Sequence, residues 1–446
     1  MTAISIRAAT PADWLYGTAG RGFEWMLRAG LAVILSPSAL FLAALAAMLL
    51  RHPDVAFYEI DRIAFALLVA GVVARAAVLR RRLLMWERAT WPMMGLTGLA
   101  VASVIGQPFD NQTWSLVAAK FLVPFSLFHV AELVFRDEKR FRQFETFALL
   151  VLAYLSFTSI AFLAGADWLI FPRFILDPSL GYHVDRARGP LLQAVANGVS
   201  LNLLGLLAVH AYLRGRIRGW KAGLLLLSLP VAILATLTRA VWLSFAATVV
   251  ILLVRTTHRK LRLACGGLVA VAALCLAGIL IFDNDRHTFS DRLEESGPVE
   301  FRRAVYTGGW QMFLEKPLTG WGVNQMPAEL ARHVGGYREK ELYPHNTYLE
   351  LLVEHGVVGL ALYVWLMWEL MRLGKGPVPR EESESFLSRQ FHNLWPLLLG
   401  VYWVNAAVVV MNYQFVNGLL FAMAGMLAAQ RRRAIEESNE AWGGVR

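Results

Sequence analysis

Apolar positions recur in runs of roughly twenty residues along almost the whole chain, each long enough to cross about 30 Å of hydrocarbon as a helix. The runs place spans at 27–50, 58–79, 91–107, 113–135, 141–164, 191–213, 221–238, 239–255, 261–283, 346–370, 393–411 and 415–430. The longest break lies between Asn284 and His345, where a polar segment returns directly into an apolar helix without a linker. Ahead of the first run, residues 1–26 are mixed and contain Trp14, Phe23 and Trp25, as expected of an interfacial lead-in. The first run is too long for a signal-peptide core and lacks a small-residue cleavage site.

Composition agrees with this pattern. Hydrophobic residues make up 57% of the chain and charged residues 17%, well below the quarter usual in soluble domains. Mean hydropathy is +0.48. The expectation is an all-α polytopic membrane protein with about 12 transmembrane helices. Cys265 and Cys275 share one apolar run, which supports neither a disulfide framework nor a metal knuckle.

The net charge of +10 changes the picture through its distribution. Arg80, Arg81, Arg82 and Arg88 fall together; so do Arg136, Lys139, Arg140 and Arg142; Arg214, Arg216, Arg218 and Lys221; Arg255, Arg259, Lys260 and Arg262; Arg372, Lys375, Arg380 and Arg389; and Arg431, Arg432 and Arg433. With the N-terminus inside, all of these occupy cytoplasmic loops, where basic residues accumulate against an anionic leaflet. The short opposite loops at 51–57, 108–112 and 412–414 hold only Arg51. Clusters confined to loops argue against nucleic-acid binding.

Basic residues on the outer side are therefore the exceptions to explain. They are Arg173, Arg186 and Arg188 in the 165–190 loop, Arg239 at the turn between two spans, and those of the 284–345 loop. The long loop has nearly balanced charge, with Asp291, Glu294, Glu295 and Glu300 beside Arg292, Arg302 and Arg303, and long loops translocate whatever their charge. Within it, Phe301, Val305, Trp310 and Phe313 recur at roughly helical spacing, which predicts a helix on the membrane surface. Pro317-Leu-Thr-Gly320-Trp-Gly322 predicts a turn.

Charges at membrane depth are functional candidates by default. Guanidinium forks match phosphate oxygens and stabilise a pyrophosphate as it leaves with growing charge. Histidine is the side chain whose ordinary pKa lets it accept a proton near neutrality. Arg188, Arg239 and His345 on one face thus point to transfer from a lipid pyrophosphate to a hydroxyl. Simpler readings stand beside this: snorkelling for Arg239, an ordinary loop arginine for Arg188 with Arg186 equally eligible, a turn residue for His345, and a packed core histidine for His355. Glu59 with Asp61 and Asp283 with Asp285 are acidic pairs of a kind that can hold magnesium, though solvated helix ends give the same pattern. A lone Gly320-Trp-Gly322 without a preceding strand does not make a nucleotide site.

The run His345-Asn-Thr-Tyr-Leu-Glu-Leu-Leu-Val-Glu354-His-Gly356-Val-Val-Gly359 resembles the closing signature of the O-antigen ligase and polymerase superfamily. Arg303-Ala-Val-Tyr-Thr-Gly-Gly-Trp310 with Lys316-Pro-Leu-Thr-Gly-Trp-Gly322 is similar to its loop segment, and Thr238-Arg239-Ala-Val-Trp242 to its Ser/Thr-Arg-Gly/Ala-x-Trp motif. Arg188-Gly-Pro with Asn197-Gly198 resembles a degraded form of its Arg-Gly…Asn-Pro-Asn segment. The resemblance spans about 185–365. It implies a GT-C-like, inverting, metal-independent glycosyltransferase without cofactors, in a bacterial inner membrane and open to the periplasm. The donor would be an undecaprenyl-pyrophosphate-linked glycan. The acceptor would be lipid A-core for a ligase or a second lipid-linked glycan for a polymerase.

By the same carry-over, Arg188 and Arg239 bind pyrophosphate, His345 activates the acceptor hydroxyl, and Arg302 and Arg303 touch phosphate or sugar. The expected partition is a 1–26 lead-in, membrane domains at 27–283 and 346–430, a periplasmic loop at 284–345, and a 431–446 cytoplasmic tail. A lipid or glycan transporter is the alternative class, but the spans lack the paired breaks typical of transporter halves.

Overall fold

The computed structural model describes residues 36–52, 60–78, 80, 86–105, 107–181, 183–282, 297–334, 341–377 and 385–443. The 1–26 lead-in, Glu59, Asp283, Asp285, Asp291, Arg292, Glu294 and Glu295 lie outside the described residues, as do Arg81, Arg82 and Arg380. All regular structure among the described residues is helical.

In order, the helices are α1 (Pro37–Leu49), α2 (Ile60–Val78), α3 (Thr90–Val104), α4 (Asn111–Val134), α5 (Glu138–Leu163), α6 (Ala194–Leu213), α7 (Gly219–Ala235), α8 (Arg239–Arg255) and α9 (Arg259–Phe282). Then follow α10 (Gly297–Glu315), α11 (Met326–His333), α12 (Thr347–Leu373), α13 (Arg389–Ala406) and α14 (Gln414–Gly443). A helix stands at every position where the apolar pattern placed a span, and two more, α10 and α11, stand in the polar segment. Among the described residues, four of them, α4, α5, α6 and α12, are long and apolar enough to cross a membrane.

Helix α6 is buried along almost its whole length, and α14 is buried from Phe415 to Gln430. Helices α1, α4, α5, α7, α8, α12 and α13 pack against one or the other. Phe125 of α4 meets Phe421 of α14 with ring centroids 5.2 Å apart, and Phe41 of α1 meets Phe135 just past α4 at 5.1 Å. One end is fastened by ion pairs of the basic loops. Arg214 reaches Glu145 at 2.9 Å and Arg216 reaches it at 3.1 Å, while Arg432 pairs with Glu87 and Glu132.

Two irregularities shape the other end. Residues 118–122 of α4 form a π-helical turn, a distortion that tends to mark functional positions. Helix α12 breaks at Gly356, whose φ of 66° and ψ of −167° are not helical. An unbroken helix would pair the Val353 carbonyl with the Val357 N–H. Here Val353 accepts from Trp321 N–H at 2.9 Å and Val357 donates to the Pro317 carbonyl at 2.8 Å. The Glu354 carbonyl accepts from Gly322 N–H at 2.9 Å. The 317–322 turn is thus a strap that satisfies the backbone groups freed by the break, which matters most where water is scarce.

Candidate functional site

His345 sits at the junction of the polar segment and α12. Its φ is 46°, in the left-handed region that histidine enters more readily than bulky side chains do. Asn346 follows in an extended conformation, and its side-chain oxygen accepts from the N–H groups of Tyr348 and Leu349 at 2.9 and 3.1 Å. That is an N-cap, satisfying donors that a helix start leaves open. Thr347 Oγ1 donates to the Val409 carbonyl at 2.8 Å and accepts from Met411 N–H at 3.0 Å. His-Asn-Thr is therefore a turn, a cap and a tether to the α13–α14 connection.

Helix α10 lies over this junction. Val305 and Met312 join Met326, Leu330, Val334, Leu342 and Val353 in a small core separate from the main one. The spacing that predicts a helix in this segment is correct, and the buried face it yields packs on α11 and α12. Trp310 points outward. The same packing carries Arg302 to the vicinity of His345. The imidazole keeps a solvent-accessible edge. Its pKa is held below the ordinary 6.5, first by the protein that surrounds it, then by the charges of Arg302 and His183. A lowered pKa leaves the ring neutral at pH 7, with a lone pair able to accept a proton.

His183 comes from the 165–190 loop, so that loop reaches the same place. Its own pKa is lowered by burial and by Arg186. Arg302 and Arg303 are exposed on the outer face of α10, where with Tyr306, Thr307 and Trp310 they form an open, shallow surface along one side of the helix.

The two arginines singled out near the spans part company. Arg188 is 1% exposed. Its Nε donates to the Ile175 carbonyl at 2.9 Å, and its two terminal nitrogens donate to the carbonyls of Leu180 and Asp177. The guanidinium is turned inward and holds the loop together. Arg239 is exposed at the first turn of α8, where helix N–H groups and the positive end of the helix dipole also point outward. The backbone joins their segments: Ala187 N–H donates to the Ala235 carbonyl at 3.0 Å, and Asn197 Nδ2 donates to the Ala187 carbonyl at 2.8 Å. Of the acidic residues weighed for a metal, Asp61 is buried and faces Arg51 at 3.8 Å.

The apolar pattern passes over Lys120. It lies in the π-helical turn of α4 and donates to Glu350 at 2.9 Å and to Glu354 at 3.0 Å. A lone lysine inside an apolar run was the available signal, but nothing local identifies its partners. Glu354 also accepts from Asn324 N–H at 3.0 Å. His183 was missed for a similar reason, since its loop drew notice only for its arginines.

Residues 222–364 match the family model described as O-antigen ligase. That stretch contains Arg239, Arg302, Arg303, His345 and both carboxylates of the Lys120 cluster. Comparison with curated proteins finds no matching relative. The family match supports the superfamily resemblance, an O-antigen ligase- or polymerase-like function in general, lipid-linked glycan substrates and membrane association.

Proposed function

We propose, on the premise that residues 222–364 form an O-antigen ligase family segment, that this protein transfers a glycan from undecaprenyl pyrophosphate to an acceptor hydroxyl. In this reading all of α1–α9 and α12–α14 cross the inner membrane in a GT-C-like arrangement, and α10 and α11 lie on the periplasmic side. The observation that carries the reading is His345, exposed and within the electrostatic reach of Arg302, at the junction of the polar segment and a helix long enough to span the membrane.

The chemistry follows from that placement. The acceptor hydroxyl gives its proton to the His345 imidazole as its oxygen forms a bond to the anomeric carbon. The bond from that carbon to the pyrophosphate oxygen breaks on the opposite face, and the electron pair leaves with the pyrophosphate, so configuration inverts. Arg239 at a helix N-terminus and Arg302 with Arg303 on α10 supply positive charge for the departing group. Tyr306 and Trp310 flank the α10 arginines and offer ring faces to sugar. Arg188, bonded to the carbonyls of Ile175, Asp177 and Leu180, fixes the shape of the loop that carries His183. No step calls for a metal ion.

Purified protein would be given an undecaprenyl-pyrophosphate glycan with lipid A-core in EDTA. Product on the core identifies a ligase, the reading preferred here. Longer lipid-linked chains identify a polymerase. His345→Ala should lower either rate by about 10²–10⁴ while the protein remains folded. Wild-type rates in that variant would remove the mechanism, and strict metal dependence would move attention to Glu59, Asp61, Asp283 and Asp285.

A further inference from the structure

The break at Gly356 divides α12 into two pieces, and the first piece, 347–355, begins just past the Asn346 cap that follows His345. A continuous helix would hold those turns in line with the rest. Across a break it cannot, so lateral contacts must set the direction of the piece. Besides the apolar packing of α10 and α11 on Val353, three polar contacts stand out among the described residues. Thr347 ties its start to the 409–411 backbone. The 317–322 strap holds its end. Between them, Lys120 grips both of its carboxylates, Glu350 and Glu354, one turn apart.

The grip is unusual in where it lies and in what it joins. Lys120 and Glu354 side chains are 7% and 2% exposed, so neither charge is screened by water and each depends on the other. Lys120 stands on the π-helical turn, which displaces the register of α4 locally. Glu354 receives Asn324 N–H on its other oxygen, and Asn324, at φ 64°, donates to Thr113 Oγ1 at 3.0 Å. Thr113 in turn donates to Asp110 at the start of α4. One carboxylate thus joins α4, α12 and the segment that follows the strap.

We propose that Lys120, Glu350 and Glu354 are positioning residues for His345: the ion cluster fixes the direction of the 347–355 piece and so the place of the imidazole. The cluster itself touches no substrate. This rests on the reading of His345 as the base, so one of its tests does not depend on catalysis.

In a C265A/C275A background, H345C would be labelled with a membrane-impermeant maleimide, with Lys120 intact, as K120R, as K120M and with E354Q. The expected result is a labelling rate altered at least fivefold by K120M and by E354Q and within twofold for K120R. E354Q is isosteric and keeps an acceptor for Asn324, so it serves if K120M folds poorly. Unchanged labelling in the folded variants overturns the proposal. In the transfer assay with His345 present, K120M and E354Q should lose at least tenfold in kcat with donor KM within threefold, and K120R should retain activity. Full kcat, or a loss confined to KM, overturns it as well. A wild-type protein inactive on lipid-linked donors would sink the functional reading alone, because the labelling still decides the cluster.

Discussion

A β-carbon on Gly320 would lie 2.4 Å from the carbonyl oxygen of Glu354. The strap and the break in α12 therefore meet backbone to backbone. Gly356 shows the reciprocal fit, since a β-carbon there would lie 2.3 Å from the Leu318 carbonyl oxygen.

Both glycines also have positive φ, 69° and 66°, so an added side chain meets strain as well as a clash. Gly320→Ala and Gly356→Ala should each destabilise the folded protein by about 3 kcal/mol, the upper range for overpacking. Thermal unfolding of detergent-solubilised protein checks this. Gly98 and Gly223, where a β-carbon would have nothing within 4 Å, are the controls and should tolerate alanine.

The charge of Arg302 bears on the imidazole of His345. Its removal should let the His345 pKa rise back toward the ordinary value of 6.5. Because the neutral ring is the active form, activity falls as pH drops through that pKa. Arg302→Gln should therefore move the acid limb of the pH–rate profile to higher pH. A profile of initial rates from pH 5 to 8 reads the shift, and an acid limb that stays in place would separate the two residues.

Arg188 and Arg239 should fail in different ways. Arg188→Ala leaves three carbonyls of the 175–180 loop without their donor, at about 1–3 kcal/mol for each that stays dry. Its signature is a lowered melting temperature. Lysine should rescue little, because it lacks the planar fork. Arg239→Ala removes an exposed side chain, so stability should hold while donor KM rises. Melting curves and donor titrations on both variants distinguish these outcomes.

Asn346 caps α12 through two backbone N–H groups. Asn346→Ala should cost about 1 kcal/mol, whereas Asn346→Asp or Asn346→Ser should keep most of the cap. Because the cap adjoins His345, the alanine variant should also lose kcat. Paired melting and rate measurements on the three variants test both effects.

The apolar runs determined where the helices are, because burying a helix backbone in a greasy setting depends on composition over twenty residues and little else. The helix through Val305 and the turn at Pro317 are local in the same sense. His345-Asn-Thr was legible as a junction, since turn and cap chemistry act within a few residues. Orientation of side chains was another matter. Arg188 and Arg239 read alike in sequence, but three loop carbonyls take the first inward while the second stays exposed. Lys120 and Glu354 are 234 positions apart, and no periodicity reaches that far. Their meeting is decided by the packing of α4 against the broken helix α12, where a buried charge must find its opposite or not be buried at all.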